Sequence, residues 1–331
     1  MRPRIAIVGT GGSIATPARD ALDLHEYGQH ANPMPLDDVL RRFAAILEPF
    51  DIVPVPFRSI DSVDADPSFW LELCRTVERV AADASVDGIV ITHGTSTLEE
   101  TAYFLHLAAK VGVPTVVVGA QRPPNGLGTD AGSNLLDALR VAAAPCARGA
   151  GVLVVMNDEV HCARDVTKAS NFRLDAFRTP EFGALGHVDP DGTVMLYRRP
   201  VRRHAPDSEF DVAQLGQLPV VEIVYGYAGA SGRAIDAFVA AGVRGIVVAG
   251  MPPGRASPAQ RTALVQAVAR GVLVVQCSRA GSGRVVQRGE DRAAGFVAGD
   301  NLNAQKARVL AMLALSGTSD VEVVRRMFAE Y

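Results

Sequence analysis

The 331-residue chain is predicted to be an α/β protein with two doubly wound domains and mainly parallel sheets. Short apolar runs, typical of strands buried on both faces, alternate along it with segments of helical periodicity. This alternation occurs twice, on either side of a stretch at 200–219 that is first basic, then acidic, and flanked by proline. We therefore predict a larger N-terminal domain at 1–199, a linker at 200–219 and a smaller C-terminal domain at 220–331.

The first stretch of the N-terminal domain organises the predicted site. Residues 5–8 are predicted to form a buried strand, and three glycines between positions 9 and 12 favour a tight turn after it. Ser13 places a hydroxyl beside that turn. Ligands of open α/β sheets bind beyond the carboxyl ends of the strands, which is where this turn is expected to lie.

The later elements follow from periodicity. The polar segment at 17–35 is predicted to be a long loop, and it carries Tyr27. A strand at 88–92 leads into a second hydroxyl-bearing turn, and Thr97 with Glu100 fits a capping box for the helix that opens at 98. The other predicted strands lie at 52–57, 113–118, 151–156, 193–197, 220–225, 245–249 and 272–276, and the other predicted helices at 35–47, 67–80, 135–144, 231–241, 257–270, 303–315 and 321–329.

Composition argues against several classes of function. Hydrophobic residues make up 48% of the chain, charged residues 21%, and the net charge is −3, which is typical of a globular protein with a full core. The densest basic patch, at 198–204, has no aromatic residues interleaved with it, so no nucleic-acid partner is expected. No apolar run is long enough to span a membrane, and the first residues lack a signal-peptide pattern. Four cysteines without metal spacing indicate a reduced, cytoplasmic protein without a metal site.

The residue types argue against one chemistry, dinucleotide binding, and leave a second one open. Gly9-Thr-Gly11 begins like a dinucleotide-binding motif, but Ile14 stands at the third glycine position, and a polar loop follows instead of a helix. Walker, GxSxG and HExxH motifs are absent from the sequence. Ser13, Thr95 and Lys168 form a possible hydrolytic set, because a desolvated lysine can take the proton of a hydroxyl nucleophile. Spacing alone does not show that the three converge.

Two motifs resemble the signatures of the bacterial-type L-asparaginase/glutaminase family. The sequence TGGSIA at 10–15 is similar to TGGTIA, and THGTSTLEETA at 92–102 is similar to THGTDTxEETA. The likeness continues through 165–168, 223–225 and 295–308 and so covers nearly the full chain. It implies the family's fold of two α/β domains. It also implies an amidohydrolase that splits a side-chain carboxamide, such as that of L-asparagine, into a carboxylate and ammonia without metal or cofactor.

The resemblance assigns catalytic roles by position. Ser13 matches the nucleophilic threonine of the family, and Tyr27 matches the lid tyrosine that polarises it. Thr95 and Lys168 match the second threonine and the lysine. The residues implied in substrate binding are Ser59, Ile60, Asp61, Ser96, Ala120 and Glu290.

The resemblance also implies roles in substrate binding, which differ from residue to residue. Ser59 lies where the family binds the substrate α-carboxylate, and the backbone carbonyl of Ala120 matches one that holds the leaving amide. The family is usually a homotetramer of close dimers, with each site completed at the intimate dimer interface, and Glu290 matches the acid supplied by the partner subunit.

Two positions depart from the family pattern. Ser13 keeps the hydroxyl of the family's threonine but lacks the methyl that restricts its rotamer, so slower or less selective turnover is expected. Ser96 stands where the family has an aspartate that pairs with the substrate α-ammonium, and losing such a pair costs on the order of 2–5 kcal/mol. Asp61 or Glu290 could supply the missing charge. The alternatives are an amidohydrolase for an amide whose α-nitrogen is absent or acylated, and a non-enzymatic amino-acid-binding homologue.

Overall fold

The computed structural model describes residues 2–213 and 215–331, with the side chain of His30 outside the described part. Packing divides the chain into two units, Met1–Ser208 and Glu209–Tyr331. The division falls inside the predicted linker at 200–219, whose described residues carry neither helix nor strand. The exact domain boundaries at 199 and 220 stay predictions.

The first unit contains ten strands and six α-helices within its described residues. Its strands are β1 (Arg4–Gly11), β2 (Asp51–Ile60), β3 (Gly88–Thr92), β4 (Thr115–Val118), β5 (Val152–Met156), β6 (Glu159–Cys162), β7 (Thr167–Lys168), β8 (Phe177–Arg178), β9 (Gly186–Val188) and β10 (Val194–Leu196). Its helices are α1 (Tyr27–His30), α2 (Leu36–Arg42), α3 (Ala44–Leu47), α4 (Pro67–Ala81), α5 (Leu98–Ala108) and α6 (Ala131–Ala143).

Eight of these strands form one sheet, in the order β10-β9-β6-β5-β4-β3-β1-β2. The five strands from β2 to β5 pair in parallel, and β6, β9 and β10 continue the sheet with antiparallel pairing. Strands β7 and β8 form a separate antiparallel ribbon. The prediction of a mainly parallel sheet is confirmed, and its antiparallel extension comes from strands of three or four residues.

Helices cover both faces of this sheet. On one face, Leu135 and Leu139 of α6 join a buried core with Ile7, Val90 and Val116 of the strands. On the other, α4 and α5 pack together, and the ring of Trp70 stacks on that of Phe104 with centroids 5.5 Å apart. Burial on both faces explains why the central strands are continuous apolar runs in the sequence.

The second unit repeats this layering on a smaller scale. Its strands β11 (Val221–Tyr225), β12 (Gly245–Gly250), β13 (Leu273–Ser278) and β14 (Val297–Ala298) form a fully parallel sheet in that order. Its helices are α7 (Arg233–Ala240), α8 (Pro258–Ala269), α9 (Gly289–Ala293), α10 (Ala304–Gly317) and α11 (Val321–Glu330). Ile235, Ile246, Leu264 and Phe296 are fully buried in its core. The predicted fold class, two α/β domains with mainly parallel sheets, is therefore confirmed.

Several local predictions are wrong. The predicted helix at 35–47 is two helices, because Phe43 leaves the helical conformation between them. Helix α6 begins at Ala131 and not at 135, since its first turn carries the buried polar Asn134, which apolar periodicity does not register. The predicted loop at 17–35 contains the short helix α1. The polar segment after 57 continues as strand β2 to Ile60.

Candidate active site

Four parallel strands of the first unit end at one edge of the sheet, and polar residues follow each of them. Ser13 follows β1, Asp61 follows β2, Thr95 follows β3, and Gln121 follows β4. Because the strands are parallel and adjacent, these ends lie side by side, as the sequence predicts.

The turn after β1 is held against β3 at short range. The hydroxyl of Thr10 donates to the carbonyl of Thr92 at 2.7 Å. Gly12 adopts φ +81°, and a Cβ on it would lie 2.3 Å from the Cα of Gly94. The two hydroxyl-bearing turns therefore touch through their glycine backbones.

Replacing Gly12 by alanine is expected to destabilise the protein by about 2–4 kcal/mol, through the positive φ and the clash with Gly94. Denaturant unfolding measures the change. Gly112→Ala is the matched control, because a Cβ there meets no atom within 4 Å, and it is expected to change stability little. Equal stabilities of the two variants would contradict the close approach of the turns.

The first catalytic candidate, Ser13, is paired with Tyr27. The phenol of Tyr27 donates a hydrogen bond of 2.7 Å to Oγ of Ser13. Burial raises the pKa of Tyr27, with a further rise from the charges of Asp130, Asp61 and Asp23. Tyr27 therefore stays protonated near neutral pH and acts as a hydrogen-bond donor. With Tyr27 donating, the proton of Ser13 is free to point at another acceptor.

The second pair joins Thr95 and Lys168. Nζ of Lys168 lies 2.7 Å from Oγ1 of Thr95, although the residues are far apart in sequence. Thr95 is only 7% exposed, and burial lowers the pKa of Lys168. A lysine whose pKa is lowered carries a larger neutral fraction and is a better proton acceptor.

Both pairs line one pocket of about 540 Å³ in the first unit. The pocket gathers eight of the predicted site residues: Ser13, Tyr27, Ser59, Ile60, Asp61, Thr95, Ser96 and Lys168. Its wall also includes Gln121 and, from the loop after the β7 ribbon strand, Asn171 and Phe172. The convergence that sequence spacing leaves open is therefore present in the structure.

The other two predicted residues lie elsewhere. Ala120 is fully buried, directly before the pocket residue Gln121. Glu290 belongs to the second unit, where its carboxylate is exposed and pairs with Arg288 at 3.2 Å. Their substrate-binding roles stay predictions.

The predicted capping box at Thr97 is wrong. The hydroxyl of Thr97 makes no cap to helix α5; instead it donates to the backbone carbonyl of Ser62 at 2.7 Å. The backbone N–H of Ser96 donates to Oγ of Ser62 at 3.2 Å. These two bonds fasten the turn that carries Ser96 to the segment carrying Asp61, so the hydroxyl of Thr97 serves the pocket wall and not the helix end.

The part of the chain that the structure describes has neither a cluster of metal ligands nor a membrane-spanning helix. Within residues 2–213 and 215–331, no three His, Cys, Asp or Glu side chains cluster as metal ligands would. Over the same residues, no helix has the length and apolar character needed to cross a membrane.

Two family models match the chain in succession. The model described as asparaginase, N-terminal, matches residues 4–202, and the one described as glutaminase/asparaginase C-terminal domain matches residues 220–328. The chain belongs to the asparaginase family. The resemblance found in the two signature motifs is thereby confirmed.

Individual relatives match this asparaginase-family chain over nearly its full length. L-asparaginase 2 of Bacillus subtilis is 37% identical over 329 residues, covering 99% of this chain and 87% of that protein. Glutaminase-asparaginase of Pseudomonas fluorescens biotype A is 39% identical over 330 residues, covering 99% and 90%. The crystal structure of a probable cytoplasmic L-asparaginase from Campylobacter jejuni superposes with a TM-score of 0.95 at 38% identity, covering 99% of this chain and 100% of that one.

Several polar residues of this asparaginase-family site were not predicted from the sequence. Asp130 accepts hydrogen bonds from the backbone N–H groups of Gln121 and Arg122 at 2.9 and 3.0 Å, and Asn134 donates to the carbonyl of Gly119 at 3.0 Å. The two side chains pin the turn that contains Ala120. Burial was the missing signal, because a buried polar residue at the start of a helix resembles an exposed one in sequence.

His93 and Glu99, both inside the second signature motif, are buried as well. Nδ1 of His93 donates to the carbonyl of Gly94 at 2.8 Å, and burial lowers the pKa of this histidine to about 4, so it is neutral. Glu99 accepts hydrogen bonds from the segment that carries Lys168. The motif could have pointed to both residues, but it gave no partner for either.

Proposed function

We propose that the chain hydrolyses the side-chain carboxamide of L-asparagine to L-aspartate and ammonia, with Ser13 as the nucleophile. One observation carries this proposal: the Tyr27–Ser13 and Lys168–Thr95 pairs open into the same pocket. The names of the relatives, which include L-asparaginase and glutaminase-asparaginase, support the choice of substrate.

The proposed reaction has two steps. Oγ of Ser13 attacks the carboxamide carbon, its proton passes through Thr95 to neutral Lys168, and the C–N bond breaks as that proton is returned to the leaving nitrogen, which departs as ammonia. Water then attacks the acyl ester on Ser13 and releases the carboxylate. Tyr27 orients the nucleophile throughout by donating to its oxygen.

The experiment is ammonia release by the purified protein from L-asparagine, L-glutamine and simple carboxamides. Release from L-asparagine, with L-aspartate formed in equal amount, is the expected result. A protein that binds L-asparagine in a thermal-shift assay yet releases no ammonia from any carboxamide would instead be an amino-acid-binding homologue.

A second candidate substrate class is favoured by the uncharged side chains at two positions of the pocket. Ser96 and Ile60 both line it, and neither can neutralise an ammonium group. An amide whose α-nitrogen is absent or acylated places no charge there. N-acetyl-L-asparagine and succinamic acid are the test substrates, and a clear preference for free L-asparagine over both rules this class out.

Replacing Ser96 by aspartate is expected to raise kcat/KM for free L-asparagine by about 10-fold or more, because a carboxylate in the pocket pairs with the α-ammonium. Ser96→Asn is the matched control, with the same shape and no charge, and it is expected to show no gain. Steady-state kinetics on L-asparagine measure both variants. If Ser96→Asp gives no gain either, another group already neutralises the ammonium, and Asp61 is the first to replace.

We also propose a homotetramer built from close dimers in which Glu290 completes the partner's site, and a cytoplasmic location. The family resemblance supports the first, and the four free cysteines support the second. Light scattering that gives a mass four times that of the chain tests the assembly, and cell fractionation tests the location. A monomer with full activity would contradict the role given to Glu290.

A further inference from the structure

We propose that Glu99 is a positioning residue for Lys168: its buried carboxylate fixes the backbone of 167–168, so that the lysine amine reaches Thr95. The inference rests on the proposed function, because it concerns the residue given the role of proton acceptor there. In this proposal, the length of the Glu99 side chain matters for the position of Lys168, and its charge does not.

One carboxylate oxygen of Glu99 accepts both hydrogen bonds from the strand that carries Lys168. Oε1 of Glu99 accepts hydrogen bonds from the hydroxyl of Thr167 at 3.2 Å and from the backbone N–H of Lys168 at 3.3 Å. Glu99 itself lies in the first turn of α5, which begins three residues after Thr95. A single carboxylate therefore links the helix that follows Thr95 to the strand that carries Lys168.

The strand that carries Lys168 belongs to a small ribbon. Strand β7 has two residues and pairs only with β8, in a ribbon separate from the eight-stranded sheet. A two-stranded ribbon is marginally stable without further support, and a lysine side chain has many rotamers. We therefore infer that the hydrogen bond from the backbone N–H of Lys168 to Glu99 helps to fix the 2.7 Å contact between Lys168 and Thr95.

The surroundings of Glu99 suit a fixed anion. Its side chain is buried, at 6% exposure, and the N-terminal turn of a helix stabilises negative charge. It accepts hydrogen bonds from a hydroxyl and a backbone N–H of β7, and burial is the cause of the lowered pKa of Lys168. The carboxylate thus acts on the lysine by placing its backbone.

Three variants separate reach from charge. Glu99→Gln keeps an acceptor oxygen at the same distance and is expected to retain kcat for L-asparagine within about 3-fold. Glu99→Asp keeps the charge at the helix end but shortens the side chain, and it is expected to lose kcat by about 10–100-fold with little change in KM, as misplaced catalytic groups do. Glu99→Ala is expected to lose at least as much. Glu100→Ala, one residue further along the same turn, is the matched control.

A double variant tests whether Glu99 acts through Lys168. If it does, adding Glu99→Asp to Lys168→Met lowers the residual activity no further. If the two residues act independently, the fold-losses of the single variants multiply in the double variant. Further loss in the double variant, or equal losses in Glu99→Gln and Glu99→Asp, would overturn the inference. Unfolding temperatures accompany each measurement, and Glu99→Asp keeps the test decisive if Glu99→Ala does not fold.

Failure of the inference is distinguishable from failure of the proposed function. A wild-type protein that releases no ammonia from any carboxamide contradicts the function itself. An active wild type with an equally active Glu99→Asp variant contradicts only the positioning role.

Discussion

The Ser13→Ala variant is expected to lose kcat for L-asparagine by about 1000-fold or more, since removing a nucleophile removes the covalent path. Its fold is expected to remain, because the hydroxyl of Ser13 has its hydrogen bond with Tyr27 on the pocket surface and the serine has no large side chain to leave a cavity. Ammonia release and an unchanged thermal unfolding midpoint are the two measurements.

Two further variants serve as controls for Ser13→Ala. Ser13→Thr keeps the hydroxyl and adds a methyl that restricts the rotamer, so it is expected to retain activity. Tyr27→Phe removes only the hydrogen-bond donor and is expected to reduce kcat by less than Ser13→Ala does. Full activity in Ser13→Ala would move the nucleophile to Thr95 or to a bound water and would overturn the mechanism.

The central strands and the position of the pocket were predictable from sequence, for a physical reason. Strand β3 occupies the predicted residues, 88–92. It could be predicted because a strand buried on both faces requires a continuous apolar run, which is visible in the sequence. The glycines at 11 and 12 marked a turn that has to approach its neighbour closely. Parallel pairing then put the polar residues after β1 and β3 at one edge.

What sequence could not provide was the partner of each polar side chain. Thr97 has the spacing of a cap, yet its hydroxyl bonds to Ser62, a residue brought near only by the end of β2. The contact between Lys168 and Thr95 crosses 73 positions and depends on where the β7 ribbon lies. Asp130 and Glu99 were missed because a buried carboxylate and an exposed one look alike in a sequence. Local pattern predicts elements, and long-range packing decides which polar groups meet.

The Lys168→Met variant is expected to lose kcat/KM by about 100–10,000-fold, the range in which a general base contributes. Lys168→Arg is the sharper variant, because arginine keeps the positive charge but cannot give up its proton near neutral pH. If Lys168 accepts a proton, both variants are about equally inactive. An active Lys168→Arg variant would show that only the charge is needed.

The pH profile supplies a second test of the same residue. Burial lowers the pKa of Lys168 below its ordinary value of 10.5, so kcat/KM is expected to rise as the pH increases through that lowered pKa, where the amine becomes neutral. This alkaline rise is expected to remain in Tyr27→Phe and to be absent from the residual activity of Lys168→Met. A rise that persists in Lys168→Met would belong to another group.

Stability and activity rise with pH in the same direction at this position, but replacing the lysine is expected to separate them. The unfolded chain holds the lysine proton more tightly than the folded one, so between the lowered pKa and 10.5 this group makes the protein more stable as the pH rises, and at neutral pH its burial is a cost. Lys168→Met removes that cost along with the hydrogen bond to Thr95. The inactive variant is therefore expected to unfold at a temperature no lower than the wild type at pH 7, and a clearly lower temperature would mean that Lys168 is there for structure.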